Sequence, residues 1–532
     1  MALALAAMLW FGRGTTFSGD EMVWVVTSPG LDLDTALQPH AGHLLLVSRL
    51  AYAPLLDLFG LDYLPYRVLT GLSVCLTVGL LFTYIRRRVP DAVAIVPCVV
   101  LLFFGSDHLH TLQGNGFTIC FSLAMGLLAL LAIEREDRLG DAVAAVALTV
   151  AVATYAVGIP FVAGALVSLL VGRRWRRLWV PAVPTVLYLG WFAWSTTTET
   201  ADPGGQVALS DLAEIPRWAF EASGAALYAL IGSGFQSDAG DALDLIDPVA
   251  ALLAVLLVGA VVACVLRGRA GKGLLVALAI GLSLWGMQAL VSETGGRLPD
   301  DARYLYPGAV ACVLILAEAA RGVEWRTWML APVYVLGAIG LAANFVLLER
   351  NGDFYRERAL LARGYAGVVR SVADTRVKAG TAEQRGDLDR LVTEQMGAAI
   401  AMADVPYGDF GIGGEELLAA PEEVREAIDG AYLGAQQMKL LPAPANLARG
   451  CRRVPSTEGV TVATLGPRGA TLGSESGVPD LFAGRFADVP SQRLGSIRPG
   501  GSVRVEMLPD REAEAFPWRV AAPRGDLTIC LP

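Results

Sequence analysis

Four groups of residues in this chain have types and spacings that can do chemistry. The first is Gly19-Asp20-Glu21, two adjacent carboxyls placed just after the opening apolar run Met1–Phe11. A carboxylate leaving an apolar run sits where solvent thins, an environment in which it can serve as a general base. The second is Gln38-Pro39-His40-Ala41-Gly42-His43, and the third is Ser106-Asp107-His108-Leu109-His110-Thr111-Leu112-Gln113; together they hold all four histidines. In a strand-like segment His108 and His110 point to opposite sides, and no flanking Cys or Glu completes a zinc spacing. Contact of His40, His43, His108, His110 and Gln113 with a sugar or phosphate is therefore the expectation. A divalent cation such as Mg or Mn, held through Asp20, Glu21 or His108, is the alternative, and no cofactor is required by any motif. The fourth group pairs arginine with tyrosine: Arg67 beside Tyr63 and Tyr66, and Arg303 beside Tyr304 and Tyr306. The guanidinium fork suits a phosphate. The plainer reading is an aromatic belt with a snorkelling arginine.

The elements that must position these residues are apolar. A hydrophobic fraction of 54% with only 17% charged residues, and a mean hydropathy of +0.51, exclude an ordinary soluble enzyme. Apolar runs alternate with two kinds of connection. One is short and basic: Arg86–Arg88, Arg173–Arg177, Arg267 to Lys272, Arg321 and Arg326. The other is longer and acidic or aromatic, and it holds the four groups above. Basic loops stay in the cytoplasm, so the chemistry falls on the outer face. The expected spans are Met1–Phe11 (its helix continuing raggedly through Gly12–Thr16), Tyr66–Ile85, Val93–Phe104, Phe117–Ile133, Trp179–Trp194, Pro248–Leu266, Leu274–Val291, Tyr304–Ala319 and Trp328–Leu348. Ala142–Leu170 adds two more, broken at Tyr155–Pro160, because Pro cannot continue a helix. The total is about eleven spans, with a helix lying in the interface at Leu44–Phe59 and a partly ordered acidic lid at Ser195–Asp247.

Beyond residue 348 the chain turns polar. Arg363–Thr375, Glu383–Met402 and Pro421–Lys439 read as helices, and Pro421 before Glu422 and Glu423 makes a good first turn. From about Gly459, short runs such as Val460–Leu465, Ser502–Leu508, Trp518–Ala521 and Leu527–Cys530 read as strands of a small β-sandwich. The expected domains are thus 1–348 in the membrane, 349–445 helical and 446–532 β, the last two outside the cytoplasm. Of the seven cysteines, five lie in apolar runs, where Cys acts as a small hydrophobe. Cys451 and Cys530 bracket the last segment and are either a disulfide, expected in an oxidising compartment, or two unrelated thiols.

In architecture, and in the Gly19-Asp20-Glu21 motif at the end of its first span, the chain resembles the GT-C superfamily of integral-membrane glycosyltransferases. That resemblance implies a mainly α, polytopic GT-C-like bundle with a soluble outer domain. It also implies inverting transfer of a sugar from a polyprenyl-phosphate donor to a cell-envelope glycan or glycolipid, in the plasma membrane of a bacterium. Asp20 would be the base that accepts the acceptor's proton, with Glu21 its neighbour; the partners would be donor, acceptor and membrane lipids, and not nucleic acid. The alternatives are a lipid or glycan transporter, against which the near-absence of charge inside the spans weighs, and a non-catalytic scaffold of the same fold. No phosphate loop, serine elbow or paired Cys-x-x-Cys occurs.

Overall fold

The computed structural model describes residues 1–28, 31–197, 212–232, 247–290, 298–371, 399, 401–402, 405–436, 438–443, 451–457, 459–507, 514–523 and 525–531. Its helices are, in order, α1 (Ala2–Phe11), α2 (Asp20–Thr27), α3 (Leu33–Leu37), α4 (Leu46–Phe59), α5 (Leu64–Ile85), α6 (Asp91–Leu102), α7 (His108–Leu112), α8 (Gly116–Ile133) and α9 (Arg138–Thr154). They continue as α10 (Ile159–Val171), α11 (Trp179–Ser195), α12 (Ile215–Leu230), α13 (Pro248–Leu266), α14 (Lys272–Ala289), α15 (Ala302–Ala319), α16 (Thr327–Ser371), α17 (Gly414–Leu418) and α18 (Glu422–Ala435). Contacts divide the chain into two compact units: Met1–Thr15 with Gly30–Phe354, and Thr16–Pro29 with Tyr355–Pro532.

The first unit is all helix. Six described helices, α5, α8, α13, α14, α15 and α16, are long and apolar enough to cross a membrane, which takes about 20 apolar residues. Exposure agrees. α13 presents Leu252, Val255, Leu256, Val258, Val262 and Val265 on its outside, a continuous apolar face suited to hydrocarbon and not to water. α1, α6 and α10 are apolar but shorter. Every segment expected to span forms a helix, and the long run after Arg138 breaks as its Gly and Pro direct: α9 ends at Thr154, Tyr155 is extended, Ala156–Gly158 makes a 3-10 turn, and Pro160 sits in the first turn of α10. α8 lies between α5 and α9, and α10 packs on α14.

One expectation is corrected here. The first helix does not run on through Gly12–Thr16. It stops at Phe11, where Gly12 N–H closes the last turn on Met8 O and the Arg67 guanidinium donates to the carbonyls of Met8 and Leu9. Gly12 makes this possible, since a Cβ there would overlap the guanidinium. Within Ser195–Asp247 the described residues include a regular helix. α12 buries Trp218, Ala219, Ala222, Ser223, Gly224, Ala226 and Ala229 against α13, α14 and α15. Its small residues recur at helical spacing, a stripe that lets helices approach closely in a membrane. Glu199, Asp202 and Asp211 of that loop lie outside the described residues.

At the arginine-rich end of this unit the charges are knotted together. Arg88 Nε donates to Glu318 Oε1 at 2.8 Å, Tyr84 Oη donates to the same oxygen at 2.8 Å, and Arg88 also pairs with Glu134. Arg86 pairs with Asp91 at 2.7 Å, Arg87 with Glu134 at 2.7 Å, Arg174 with Glu136 at 2.7 Å and Arg177 with Asp141. Glu318 is 3% exposed, and a buried carboxylate needs such partners.

The second unit contains α2, the end of α16, α17, α18 and ten strands: β1 (Lys439–Pro442), β2 (Arg452–Val454), β3 (Ser456–Thr457), β4 (Val460–Thr464), β5 (Ala470–Ser474), β6 (Val478–Gly484), β7 (Gln492–Ile497), β8 (Gly501–Glu506), β9 (Arg519–Pro523) and β10 (Leu527–Cys530). They form two antiparallel five-stranded sheets, ordered β1-β8-β5-β10-β2 and β3-β4-β9-β6-β7. The sheets meet where β4 faces β2 and β10, and β7 faces β1 and β8. Cys451 and Cys530 are joined by a disulfide, tying the lead-in of β2 to the end of β10.

Helical and β parts of the tail are one unit and not two. β1 begins at Lys439, inside the expected helical domain, and pairs with β8. Asp429 on α18 is fully buried and accepts the backbone N–H groups of Arg485, Phe486 and Ala487 at 2.9–3.0 Å. Burial pushes its carboxyl above the usual carboxylate range, against the pull of those three donors. The expected helix Glu383–Met402 lies almost wholly outside the described residues.

Candidate functional site

At the end of the helical unit away from the arginines, the loop Gly105–Asp107 leads into α7. It is held against α16 and α12: Asn344 Oδ1 accepts from Ser106 N and Ser106 Oγ at 2.9 Å, while Asn344 Nδ2 donates to Ala229 O and Gly340 O at 3.0 Å. Gly105 is a glycine for a steric reason, since a Cβ would overlap the carbonyl of Asn344. So anchored, Asp107 caps α7, with Oδ1 accepting from His110 N at 3.1 Å. Its Oδ2 lies 2.7 Å from His110 Nδ1 and accepts Tyr306 N–H at 3.0 Å. Asp107 has no accessible surface and His110 is 7% exposed. Around them Gly114 N donates to Tyr63 Oη at 2.7 Å, Thr70 Oγ1 donates to Gly114 O at 2.5 Å, and Phe117 N donates to Thr70 Oγ1 at 3.0 Å. Gln113 is buried between α7 and α8.

His108–Leu112 is helical and not strand-like. The separation of His108 from His110 survives for another reason, the rotation of a helix by two residues: His110 binds Asp107, while His108 is half-buried with its ring centroid 6.3 Å from that of Phe354. Sequence reasoning grouped Asp107 with His108 and His110 as a possible cation or phosphate contact, and did not foresee that Asp107 caps α7 and holds the His110 ring. The Asp-x-x-His spacing ahead of a helix was the available clue, because an N-cap acceptor meets the backbone N–H three residues on.

His40 and His43 face each other across a tight turn, each backbone N–H donating to the other's carbonyl at 3.1 and 2.9 Å, with Ala41 and Gly42 in the left-handed region. The His43 ring packs on Tyr155, at the break between α9 and α10, with centroids 4.6 Å apart. Arg49 of α4 donates to the carbonyls of Thr35 and Gln38, and Trp191 Nε1 donates to Leu37 O at 2.8 Å, so α4 and α11 fix this loop. Arg303 is exposed and pairs with Asp301, the N-cap of α15, at 2.9 Å. It reaches the Tyr304 ring at 6.0 Å and interacts electrostatically with Tyr155. Asp300, which the sequence did not single out, is pushed above the usual carboxylate range by burial and then by the charges of Asp301 and Glu221.

Arg67 gives two guanidinium nitrogens to the backbone of the first helix. It is 6% exposed and spent on the end of α1. Asp20 and Glu21 group with the second unit and not with the membrane domain expected for them; in the same segment Phe17, Met22, Trp24 and Val25 are buried. Asp20 is exposed at the first position of α2 and Glu21 has no accessible surface. Among the described residues no group of three or more His, Cys, Asp or Glu is placed to hold a metal ion. In the β part, a cleft of about 640 Å³ is lined by Arg453, Ser456, Thr461, Ser476 and Asp526, among others.

No family model and no curated protein matches this chain. Two solved structures are similar to it: ArnT from Cupriavidus metallidurans in the apo state, with a TM-score of 0.41, and the same protein bound to undecaprenyl phosphate, with a TM-score of 0.40. Each is 18% identical over 79% of this chain and 78% of that one. At that identity and fold overlap, neither assigns a role to any residue of this chain.

Proposed function

We propose that this chain is a membrane glycosyltransferase of the GT-C type that moves a sugar from a polyprenyl-phosphate donor to a cell-envelope glycan or glycolipid, with inversion. The observation that carries the reading is the contrast between the two ends of the helical unit. At one end the arginines are tied to Asp91, Glu134, Glu136, Asp141 and Glu318. At the other, His40, His43, Asp107, His110, Gln113, Tyr155, Arg303 and Tyr304 gather on α7, α15 and the loops between apolar helices. Spans that are apolar throughout, with polar groups collected at one end, suit chemistry on a lipid-linked substrate at the membrane surface better than passage through the bilayer. In this reading Arg303 meets the donor phosphate, since its fork can serve an oxyanion as it serves Asp301. The histidines and Gln113 meet sugar or phosphate oxygens. Asp20 takes the proton of the acceptor hydroxyl as the new glycosidic bond forms and the polyprenyl phosphate leaves with the bonding electrons. The cleft beside Arg453 is where the β part would hold the glycan.

The test is direct transfer. Purified protein in lipid nanodiscs is given a radiolabelled polyprenyl-phosphate sugar and envelope glycan acceptors, and the product is followed by chromatography. Label passing to the acceptor with an inverted anomeric centre is expected. Label recovered only on the donor, across pentose and hexose donors, would leave the scaffold reading in its place.

A further inference from the structure

Asp107 and His110 form a dyad whose proton arrangement follows from its neighbours. Oδ2 of Asp107 accepts the backbone N–H of Tyr306, which can only donate, and Oδ1 accepts the backbone N–H of His110. A carboxyl accepting on both oxygens has the hydrogen-bond pattern of the anion, so the imidazole nitrogen 2.7 Å from Oδ2 is the donor. That places a proton on Nδ1 and fixes the ring by a carboxylate, as orienting groups do for working histidines. The other nitrogen, Nε2, makes no hydrogen bond among the described residues, yet it is not sealed away from solvent. A ring more than nine-tenths buried thus keeps its unused polar atom within reach of solvent. The helices packed on α7 give that place a sign. α5, α8 and α15 begin at this end of the unit, and α1, which ends there, has carbonyls of its last turn covered by Arg67; helix N-termini favour an anion.

We propose that His110 Nε2 is a contact for the phosphate of the lipid-linked donor and that Asp107 is its positioning residue; this rests on the glycosyltransferase reading above. With both nitrogens protonated, the ring gives Nδ1–H to Asp107 and Nε2–H to a phosphate oxygen. The carboxylate balances the imidazolium, and the helix termini favour the anion that arrives.

The two nitrogens can be separated by substitution. In His110→Asn the amide stands near the place of Nδ1 and keeps the bond to Asp107; in His110→Gln it stands near the place of Nε2. Binding of a polyprenyl monophosphate and of the uncharged polyprenol of equal length is measured in nanodiscs, beside thermal stability. The wild type is expected to prefer the phosphate. His110→Asn should melt close to the wild type and lose that preference by about tenfold or more, the scale of a charge-assisted hydrogen bond. His110→Gln should keep more of the preference than His110→Asn, and Asp107→Asn should lower it with the polyprenol affinity unchanged. Full wild-type preference in His110→Asn, or in His110→Gln and Asp107→Asn together should the first variant not fold, overturns the assignment and leaves the donor reading standing. A wild type indifferent to the phosphate removes both. Equal displacement of the probe by inorganic phosphate or by phosphatidylglycerol overturns the lipid donor as the occupant.

Discussion

Asp20 and Glu21 are neighbours in sequence and opposites in environment: the first is exposed at the start of α2, the second has no accessible surface. A base must reach its substrate, so the two substitutions should separate. Asp20→Asn is expected to lower turnover by roughly 100-fold or more, the scale of general-base contributions, with donor affinity and melting temperature unchanged. Glu21→Gln should show first as a lower melting temperature, since a buried carboxyl that loses its partners costs about 1–3 kcal/mol. Arg303→Ala should weaken donor binding about tenfold and leave the rate at saturation nearly intact, because its proposed partner is the phosphate; isothermal binding and saturation kinetics check this. Residue type alone could nominate these side chains, but their availability depends on partners distant in sequence. Arg67 and Arg303 read alike beside their tyrosines. One is consumed by the carbonyls of α1, 58 and 59 positions away, while the other stays half exposed.

Elements built from strong periodic or punctuating residues were legible. The spans, the Tyr155–Pro160 break and the strands β4, β8, β9 and β10 all sit where apolar runs, Gly and Pro put them. α12 was not, because small residues among acids look like a loop until their stripe finds α13, α14 and α15. The strands β1, β2, β3, β5, β6 and β7 carry little apolar alternation of their own and depend on pairing for their form. One turn in this group has a pH signature. Burial acts to raise the Asp526 carboxyl, but bonds from Ser476 Oγ, Glu475 N, Ser476 N and Ser474 Oγ together outweigh it and hold the group well below the usual carboxylate range. A carboxyl depressed in the fold stabilises it above the unfolded value of about 4, and that contribution fades as pH falls below it. The second unit should therefore melt at lower temperature from about pH 4 downward, and Asp526→Asn should flatten that slope; circular dichroism melts at stepped pH would show a failure of either.

For the whole molecule, membrane class and a β-rich tail could be read from composition and texture, because burying about 20 apolar residues in a row leaves little alternative to a bilayer. The grouping of residues 16–29 with the tail could not, since it joins segments more than 300 positions apart. Orientation is open to test. With a cysteine-free background and intact cells, a membrane-impermeant thiol reagent should reach Val489→Cys, 57% exposed, and miss Trp175→Cys, 62% exposed; the reverse would invert the sidedness and the face proposed for catalysis. The Cys451–Cys530 bridge closes a span of 79 residues, worth about 4 kcal/mol in the chain-entropy model. Replacing both by serine should lower the stability of the tail on that scale, read by denaturant titration.

The pairing of the arginines also bears on time. Arg86, Arg87, Arg88, Arg135, Arg174 and Arg177 each hold a carboxylate in the finished fold, so that end of the molecule shows far less positive charge than its sequence carries. Two of those carboxylates, Asp91 and Asp137, follow their arginines closely; Glu134 comes a whole loop after Arg87 and Arg88, while Glu136 and Asp141 precede Arg174 and Arg177. During synthesis the arginines of Arg86–Arg88 therefore emerge before Glu134 and Glu318 can meet them. That charge is therefore unpaired in the growing chain and neutralised only in the finished fold, so any pull it has on the placing of a loop acts during synthesis.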